Sequence, residues 1–309
     1  MKAPPSNLPA SIRARRLAHS REAGEDFGLI LSRFAAERLL YRIAQSEHRN
    51  RFFLKGALLF ALWEGNPHRP TRDVDLLGQG SSDVDELAAV FRTLCAMTVE
   101  PDGLEFDPAS VQAFEIREDH HYDGVRVKLT ATLSGARVDM QVDIGFGDAV
   151  TPPATEVSFP TLLDLPAPRL NVYPIETVIA EKLEALVSLG IANSRMKDFY
   201  DLAFVARRRA LSASILVEAV RATFGRRRTT LPEALPIGLA DEFAEDSEKI
   251  MQWSAFVRRA RLSDATDLRS VVLLLREFLW PIVQYARIAE AAADTEGLLW
   301  APGGPWRRA

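Results

Sequence analysis

Two aspartates stand two residues apart in an apolar segment, within the sequence TRDVDLL at residues 71–77. Because successive side chains of a β-strand point to opposite faces, an extended segment would place Asp73 and Asp75 on one face and Val74 on the other. Two such carboxylates repel each other unless a cation lies between them, and proteins hold Mg²⁺ with one or two carboxylates plus substrate phosphates. The pair therefore indicates metal-assisted phosphate chemistry, although an isolated Asp-x-Asp is more often an exposed turn.

A third carboxylate comes from the next well-patterned strand, predicted over residues 137–144 because apolar and polar side chains alternate there. Asp139 and Asp143 share its polar face, and the sequence alone does not choose between them. We favour Asp143 because it stands at the strand end, beside Gly145, where a site would open to solvent. The predicted metal ligands are thus Asp73, Asp75 and Asp143.

A candidate anion site precedes the aspartates. Lys55, Gly56 and Ala57 lie where a short predicted strand, residues 51–54, runs into a helical pattern. Glycine lets the backbone approach a phosphate, and the first N–H groups of a helix point toward such an anion. A lone glycine at this kind of junction is more often only a turn, so the prediction depends on its combination with the aspartates.

Two further candidates lie in the second half of the chain. Lys182 stands close to the apolar face of a helix predicted over residues 175–189, and Asp198 lies in the first turn of the next predicted helix. Each has an ordinary interpretation, since a lysine can extend its ammonium group to the surface and an acidic residue suits a helix N-terminus. Neither residue would be selected by its position alone.

The elements that would carry these residues form two regions. Residues 1–165 mix strand and helix patterns, whereas residues 166–309 show only helical periodicity, which predicts an α+β lobe with a mixed sheet followed by an all-helical lobe. The proline-rich residues 151–170 are predicted to be a connector, and residues 300–306 an irregular tail. Helices of the second lobe are predicted at residues 175–189, 195–210, 212–223, 239–260 and 264–292.

The composition is that of an ordinary globular protein, with 47% hydrophobic and 26% charged residues. The single cysteine, Cys95, excludes an intrachain disulfide and favours a reducing compartment. The longest apolar runs, about eight residues, are too short to span a bilayer. We therefore expect a cytoplasmic protein without membrane association.

The net charge and the distribution of arginine lead to different expectations about nucleic-acid binding. The net charge of −4 does not favour it. The second lobe nevertheless concentrates arginine in clusters that could contact a phosphate backbone, or could equally cap and solvate helix ends. These clusters are Arg207–Arg209, Arg226–Arg228, and the group of Arg258, Arg259 and Arg261.

Five short motifs follow one another along the chain, and together they resemble a known family. They are KGA (residues 55–57), TRDVD (71–75), DIGFGD (143–148), AEKLEA (180–185) and NSRMKDFYDL (193–202). Their order resembles that of the AbiEii/AbiGii-type nucleotidyltransferase toxins, which belong to the DNA polymerase β-like superfamily. The helix around Lys182 and the stretch around Asp198 are the most specific parts of the resemblance.

The resemblance implies roles for individual residues. Asp73 and Asp75 would bind Mg²⁺ carrying a nucleoside triphosphate, Lys182 would contact the triphosphate, and Asp198 would be the essential acidic residue facing it. Ala57 departs from the family, in which glycine or serine is more usual, and this removes a possible hydroxyl contact. The nucleotide-binding residues so predicted are Lys55, Gly56, Ala57, Thr71, Arg72 and Lys182.

The resemblance also implies partners. Family members are toxins of toxin–antitoxin pairs, and several add nucleotides to tRNA 3′ ends, so we expect an RNA acceptor, with tRNA favoured, and a cognate antitoxin protein. Two alternatives stay open, a nucleotidyltransferase that modifies a protein hydroxyl and a non-catalytic nucleotide-binding interaction protein. The macromolecule that takes up label from α-³²P-labelled nucleotides would distinguish them.

Overall fold

A computed structural model describes residues 7–65, 68–118, 122–288 and 292–308 of the 309-residue chain. The chain divides into two compact units. The first contains the residues up to Asp148 together with Ala154–Tyr173. The second contains Ala149–Pro153 and the residues from Pro174 onward.

The first unit is built on a seven-stranded mixed sheet. Its strand order is β3-β4-β5-β2-β1-β7-β6, with β2 parallel to β5, β1 parallel to β7, and the other neighbours antiparallel. Its elements are α1 (Leu8–Ala23), α2 (Phe27–Gln45), β1 (Phe52–Lys55), α3 (Leu59–Glu64), β2 (Val74–Gly78), α4 (Val84–Ala96), β3 (Leu104–Glu118), β4 (Tyr122–Leu133), β5 (Ala136–Phe146), β6 (Thr155–Ser158) and β7 (Arg169–Val172).

One face of this sheet forms the core of the first unit. Val74 and Leu76 of β2 and Val142 and Ile144 of β5 are buried, and they alternate with polar residues along their strands. Helix α2 packs against β5, and α4 packs against β3. Because successive side chains alternate between faces, the polar residues of β2 and β5 lie on the face opposite the buried apolar residues.

A buried carboxylate in the first unit makes its stability depend on pH. Glu37 of α2 is 2% exposed and accepts a hydrogen bond from the Leu162 backbone N–H at 2.7 Å. Burial raises the pKa of Glu37 to about 7, although the Leu162 N–H and the Arg38 guanidinium oppose this shift. The folded pKa lies above the unfolded one, so the protonated side chain stabilises the fold at low pH, and this contribution is lost as the pH rises toward 7 and beyond.

We expect Glu37→Gln to remove this pH dependence, because glutamine keeps the hydrogen-bond acceptor and has no proton to lose. Relative to the wild-type protein, the variant should gain up to about 3 kcal/mol of unfolding free energy between pH 5 and pH 8. Urea denaturation at a series of pH values measures the difference. Parallel stability curves for the two proteins would contradict this role of Glu37.

The second unit is mainly helical and contains a small three-stranded antiparallel sheet in the order β10-β9-β8. Helices α5 and α7 pack against each other, and α10 packs against α6 and α7. Its elements are α5 (Ile175–Leu189), α6 (Met196–Arg208), β8 (Leu211–Ser212), α7 (Ala213–Arg227), α8 (Asp241–Glu245), α9 (Ser247–Ala260), α10 (Leu268–Arg287), α11 (Ala292–Thr295), β9 (Leu298–Trp300) and β10 (Trp306–Arg308).

Three local predictions were wrong. The predicted connector contains β6 and β7, and β7 is ordered by pairing with β1, which is distant in sequence. The predicted irregular tail is a hairpin that turns at Gly303 and Gly304, both at positive φ, and the Trp300 indole donates a hydrogen bond to the Ala206 carbonyl at 2.7 Å. The helix predicted over residues 239–260 is interrupted at Asp246, whose extended backbone and side-chain bond to the Lys249 N–H begin α9.

Candidate active site

Four charged residues form a row across the polar face of the first unit's sheet. In the strand pairing, Lys55 of β1 lies opposite Asp75 of β2, Asp75 lies beside Asp143 of β5, and Asp143 lies opposite Arg126 of β4. Directly paired residues share a face, and neighbouring strands are about 4.8 Å apart. The row therefore places two carboxylates between two cationic side chains, and we call it the charged row.

Asp73 is a further carboxylate, two residues before Asp75 in the chain. It directly precedes β2 and is exposed, Asp75 is half-buried, and Val74 between them is fully buried. Since Val74 points into the core, Asp75 lies on the face of β2 that carries the charged row. Asp73 precedes the strand, and its position on the same face stays a prediction from the spacing of the two residues.

Gly56 lies directly beneath the carboxylate of Asp75. Its φ is +73°, and a Cβ atom placed on it would come within 2.0 Å of Asp75 Oδ2 and 2.7 Å of Asp75 Cβ. Only glycine combines this backbone conformation with so close an approach. The KGA segment therefore seats the Asp75 side chain against the backbone at the start of the turn that leads into α3.

We expect Gly56→Ala to displace the Asp75 carboxylate and to lower nucleotidyl transfer by about 100-fold, about 3 kcal/mol of transition-state stabilisation. Gly65→Ala is a matched control, because Gly65 has a similar φ of +77° but a Cβ atom placed on it would meet nothing within 4 Å. Both variants should lose about 1–2 kcal/mol of stability from the left-handed backbone. Initial rates and urea denaturation of the pair separate the two effects, and equal activity of the two variants would contradict the seating of Asp75 by Gly56.

Lys55 is anchored within the first unit by a buried carboxylate. Its Nζ donates to Asp148 Oδ2 at 2.7 Å, and the Tyr173 hydroxyl donates to the same oxygen at 3.3 Å. The Asp148 side chain is only 2% exposed, so this pair is held away from water. The position of Lys55 beside Asp75 is thus fixed by a residue that the sequence reasoning assigned no role.

The two candidates for the third carboxylate lie in different places. Asp143 is in register with Asp75, whereas Asp139 lies opposite Thr130 of β4 and forms an exposed pair with Arg137. Only Asp143 therefore belongs to the charged row. It accepts two hydrogen bonds from the Arg126 guanidinium, both at 2.7 Å, so its oxygens already have cationic partners.

The remaining residues predicted to bind the nucleotide lie around the row. Ala57 is buried in the short 3₁₀ turn Gly56–Leu58, so its methyl group packs inside the unit. Thr71 and Arg72 precede β2, which begins at Val74, whereas the sequence pattern predicted a strand over residues 72–77. Arg72 is exposed. Nucleotide contacts by these three residues stay predictions.

In the described part of the chain, no three His, Cys, Asp or Glu side chains are grouped so that they could hold a metal ion by themselves. A pair of carboxylates is nevertheless compatible with Mg²⁺, which is commonly held by one or two carboxylates and by the substrate's own phosphates. Asp75, seated beside the Gly56 turn, and the exposed Asp73 fit this mode of binding.

The second unit contains its own buried charge cluster. The Lys182 ammonium on α5 donates to Asp198 Oδ1 and forms an ion pair with Asp201 Oδ2 at 2.9 Å, both aspartates being on α6. The exposed fractions of the side chains are 15% for Lys182, 6% for Asp198 and 0% for Asp201. Lys182 is therefore not a surface lysine, and Asp198 does more than complement the helix dipole.

Sequence reasoning did not assign a role to Asp201. A signal was present, because residues three apart on a helix lie on one face, and Asp198 and Asp201 have that spacing. The two carboxylates converge on one ammonium group, which reduces the cost of burying all three charges. The arrangement can hold the Lys182 ammonium in a fixed position and can present a carboxylate beside it.

A second ion-pair network secures α5. Arg227 at the end of α7 donates to Glu184 Oε2 at 2.7 Å and lies 3.8 Å from Glu181 Oε1. The Thr229 hydroxyl donates to the other oxygen of Glu184 at 2.5 Å. These contacts fasten α7 to α5, so the helix that carries Lys182 is held by ion pairs to both α6 and α7.

The arginine clusters all lie at helix C-termini. The partial negative charge of a helix C-terminus attracts cationic side chains, and this accounts for arginine at these positions without a nucleic acid. Contact with an RNA backbone stays a prediction. The last turns contain Arg207 and Arg208 of α6, Arg226 and Arg227 of α7, and Arg258 and Arg259 of α9, and the cap residues are Arg209, Arg228 and Arg261.

Comparisons with known proteins give a family match over most of the chain. The family described as "Nucleotidyl transferase AbiEii toxin, Type IV TA system" matches residues 38–276. The crystal structure of JHP933 from Helicobacter pylori is similar, with a TM-score of 0.49, 14% sequence identity, and coverage of 87% of this chain and 93% of that one. A second H. pylori crystal structure has a TM-score of 0.48, 14% identity, and coverage of 86% of this chain and 96% of that one.

No curated protein sequence matches the chain significantly. Among the residues that the structure describes, no helix has the length and apolar content that crossing a bilayer requires.

Proposed function

This chain belongs to the AbiEii family of nucleotidyltransferase toxins of type IV toxin–antitoxin systems, and we propose that it transfers a nucleoside monophosphate from a nucleoside triphosphate to an RNA acceptor in a Mg²⁺-dependent reaction. The 3′ end of a tRNA is the acceptor that we favour. The observation that carries the proposal is the seating of the Asp75 carboxylate on the Gly56 backbone, with the exposed Asp73 two residues before it.

The reaction forms one phosphorus–oxygen bond and breaks another. An acceptor hydroxyl oxygen attacks the α-phosphorus, the bond from that phosphorus to the oxygen bridging it to the β-phosphorus breaks, and pyrophosphate leaves. When bound, Mg²⁺ supplies neutralisation of phosphate charge and lowers the pKa of the attacking hydroxyl. Asp73 and Asp75 would hold the ion, and the rest of the catalysis would come from positioning.

The cluster of the second unit supports a role in binding charged phosphates and in handling a proton. We assign to Lys182 the neutralisation of charge on the β- and γ-phosphates, which a lysine provides as a point charge. Asp198 accepts the hydroxyl proton or orients the acceptor. Asp201, which is fully buried, keeps Lys182 in place, and it is a positioning residue.

The proposal is tested by incubating the purified protein with total tRNA, Mg²⁺ and each of the four α-³²P-labelled nucleoside triphosphates in turn. We expect label in the RNA from one or more nucleotides, and we expect it to disappear with EDTA and in Asp73→Ala. Label in a protein fraction instead would assign a protein hydroxyl as the acceptor. Labelling that survives Asp73→Ala would refute the assigned metal ligands, and nucleotide binding without any transfer would indicate a non-catalytic interaction protein.

A further inference from the structure

We propose that Asp143 is a positioning residue that orients Arg126 toward the phosphates of the nucleotide, and that it is not a third metal ligand. The inference rests on the proposed function, because it concerns the same site. It replaces the role that the sequence suggested for Asp143 and gives Arg126, which the sequence reasoning did not select, a direct contact with substrate.

The first observation is that both carboxylate oxygens of Asp143 are engaged by nitrogen donors. Arg126 Nε donates to Oδ1 and Arg126 Nη2 donates to Oδ2, each at 2.7 Å, and Gln141 Nε2 donates to Oδ2 at 3.1 Å. A bidentate arginine–carboxylate pair is strong and geometrically specific. Coordination of a metal by Asp143 would have to displace this pair, whereas Mg²⁺ needs only one or two protein carboxylates.

The second observation is the place of Arg126 in the charged row. It lies one strand beyond Asp143, which is itself beside Asp75, so the Arg126 and Asp75 backbones are separated by two strand spacings, about 10 Å. The Arg126 side chain is 30% exposed and that of Asp143 is 17% exposed, so the pair borders the solvent on the face that carries Asp75. A guanidinium held there suits phosphate oxygens better than a lysine would, because its planar set of donors matches their geometry.

Strand β5, which contains Asp143, also contains a second arginine–aspartate pair, and that pair has neither the burial nor the position beside Asp75. Arg137 and Asp139 are joined by a 2.8 Å contact, but their side chains are 72% and 71% exposed, and Asp139 has no partner on β2 in the strand register. The two pairs contain identical residue types within one sheet. They differ in burial and in their distance from Asp75, which makes the exposed pair a matched control.

The first experiment measures metal affinity without nucleotide, by titrating Mn²⁺ and following the free ion by electron paramagnetic resonance. Asp143→Asn should bind Mn²⁺ within about twofold of the wild-type protein, whereas Asp75→Asn should bind it at least about tenfold more weakly, about 1.4 kcal/mol. Loss of Mn²⁺ affinity in Asp143→Asn equal to that in Asp75→Asn would overturn the proposal and restore Asp143 as a ligand.

The second experiment measures binding of an α,β-methylene nucleoside triphosphate, which cannot be cleaved at the α-phosphate, by isothermal titration. Arg126→Gln and Asp143→Asn should each weaken binding by about five- to tenfold, and the double variant should be no weaker than Arg126→Gln. Arg137→Gln and Asp139→Asn should bind as the wild type does. Additive losses in the double variant, or full affinity in Arg126→Gln, would overturn the positioning role.

Arg126→Lys guards against a folding artefact, because it keeps the positive charge and loses the bidentate geometry. We expect its triphosphate affinity to fall by at least about threefold while its circular dichroism and thermal melting match the wild-type protein. Wild-type affinity in Arg126→Lys would show that only charge matters and would overturn the proposed orientation by Asp143. If the wild-type protein binds the triphosphate but the variants do not behave as expected, only the positioning role is refuted. If the wild-type protein binds no triphosphate, the proposed function is refuted as well.

Discussion

Asp75→Asn is expected to lower nucleotidyl transfer by at least about 1,000-fold, which corresponds to about 4 kcal/mol of transition-state stabilisation. Asparagine has nearly the same shape, so it should remain seated over Gly56, but it lacks the charge that holds a divalent cation against phosphates. Asp75 is half-buried at the surface of the sheet. Its replacement should therefore change the stability of the fold by less than about 1 kcal/mol.

The measurement is the initial rate of label transfer at saturating nucleotide and Mg²⁺, with Asp139→Asn as the control. Asp139 is an aspartate of the same sheet, exposed and paired with Arg137, and it lies outside the charged row. Its substitution should leave the rate within about twofold of the wild-type value, well under 1 kcal/mol of the barrier. A rate for Asp75→Asn within tenfold of the wild type would remove Asp75 from the metal site.

Lys182→Met is expected to abolish transfer and also to destabilise the second unit by about 3–5 kcal/mol. The substitution removes the ammonium that Asp198 and Asp201 share, and both aspartates are buried. Two carboxylates would then remain close together in a region of low polarity, where each disfavours the charge of the other. This cost is structural and is separate from any role of Lys182 in the reaction.

A second substitution separates the two effects. Adding Asp201→Asn to Lys182→Met removes one of the remaining charges, so most of the lost stability should return, whereas transfer should stay absent. Urea denaturation followed by tryptophan fluorescence suits this test, because four of the five tryptophans lie in the second unit. Recovery of transfer along with stability would show that Lys182 serves the fold alone.

The period of two in the sequence correctly predicted that Val74 is buried and that Asp75 lies on the opposite face of β2. Burial of Val74 follows from its apolar side chain, and the opposite orientation of its neighbours follows from the geometry of any strand. The position of Gly56 before a helix was predicted by similar local reasoning. The contact of Gly56 with Asp75 could not be predicted in this way, because it depends on the pairing of β1 with β2 across a gap of about twenty residues.

The sequence patterns also did not predict which residues several charged side chains contact. Lys182, Asp198 and Asp201 converge because α5 and α6 pack with one particular rotation, and helical periodicity describes each helix but not the pairing of their faces. Nothing in the sequence distinguishes Arg126 from any other arginine on the polar face of an alternating strand. Its pairing with Asp143 depends on the register between β4 and β5, in which a shift of one residue would have moved it to the other face.

The sequence by itself determined the α+β class, the face of β2 on which Asp75 lies and, through the order of its motifs, the family to which the chain belongs. These properties depend on residue type and on spacing within a few positions, which the covalent chain fixes. Only the tertiary structure decided that Asp143 and not Asp139 lies beside Asp75, and that Asp143 is paired with Arg126. The pairing of β2 with β5 joins segments that are far apart in the chain, and the alternation along one strand does not say which other strand lies beside it or which residues face each other.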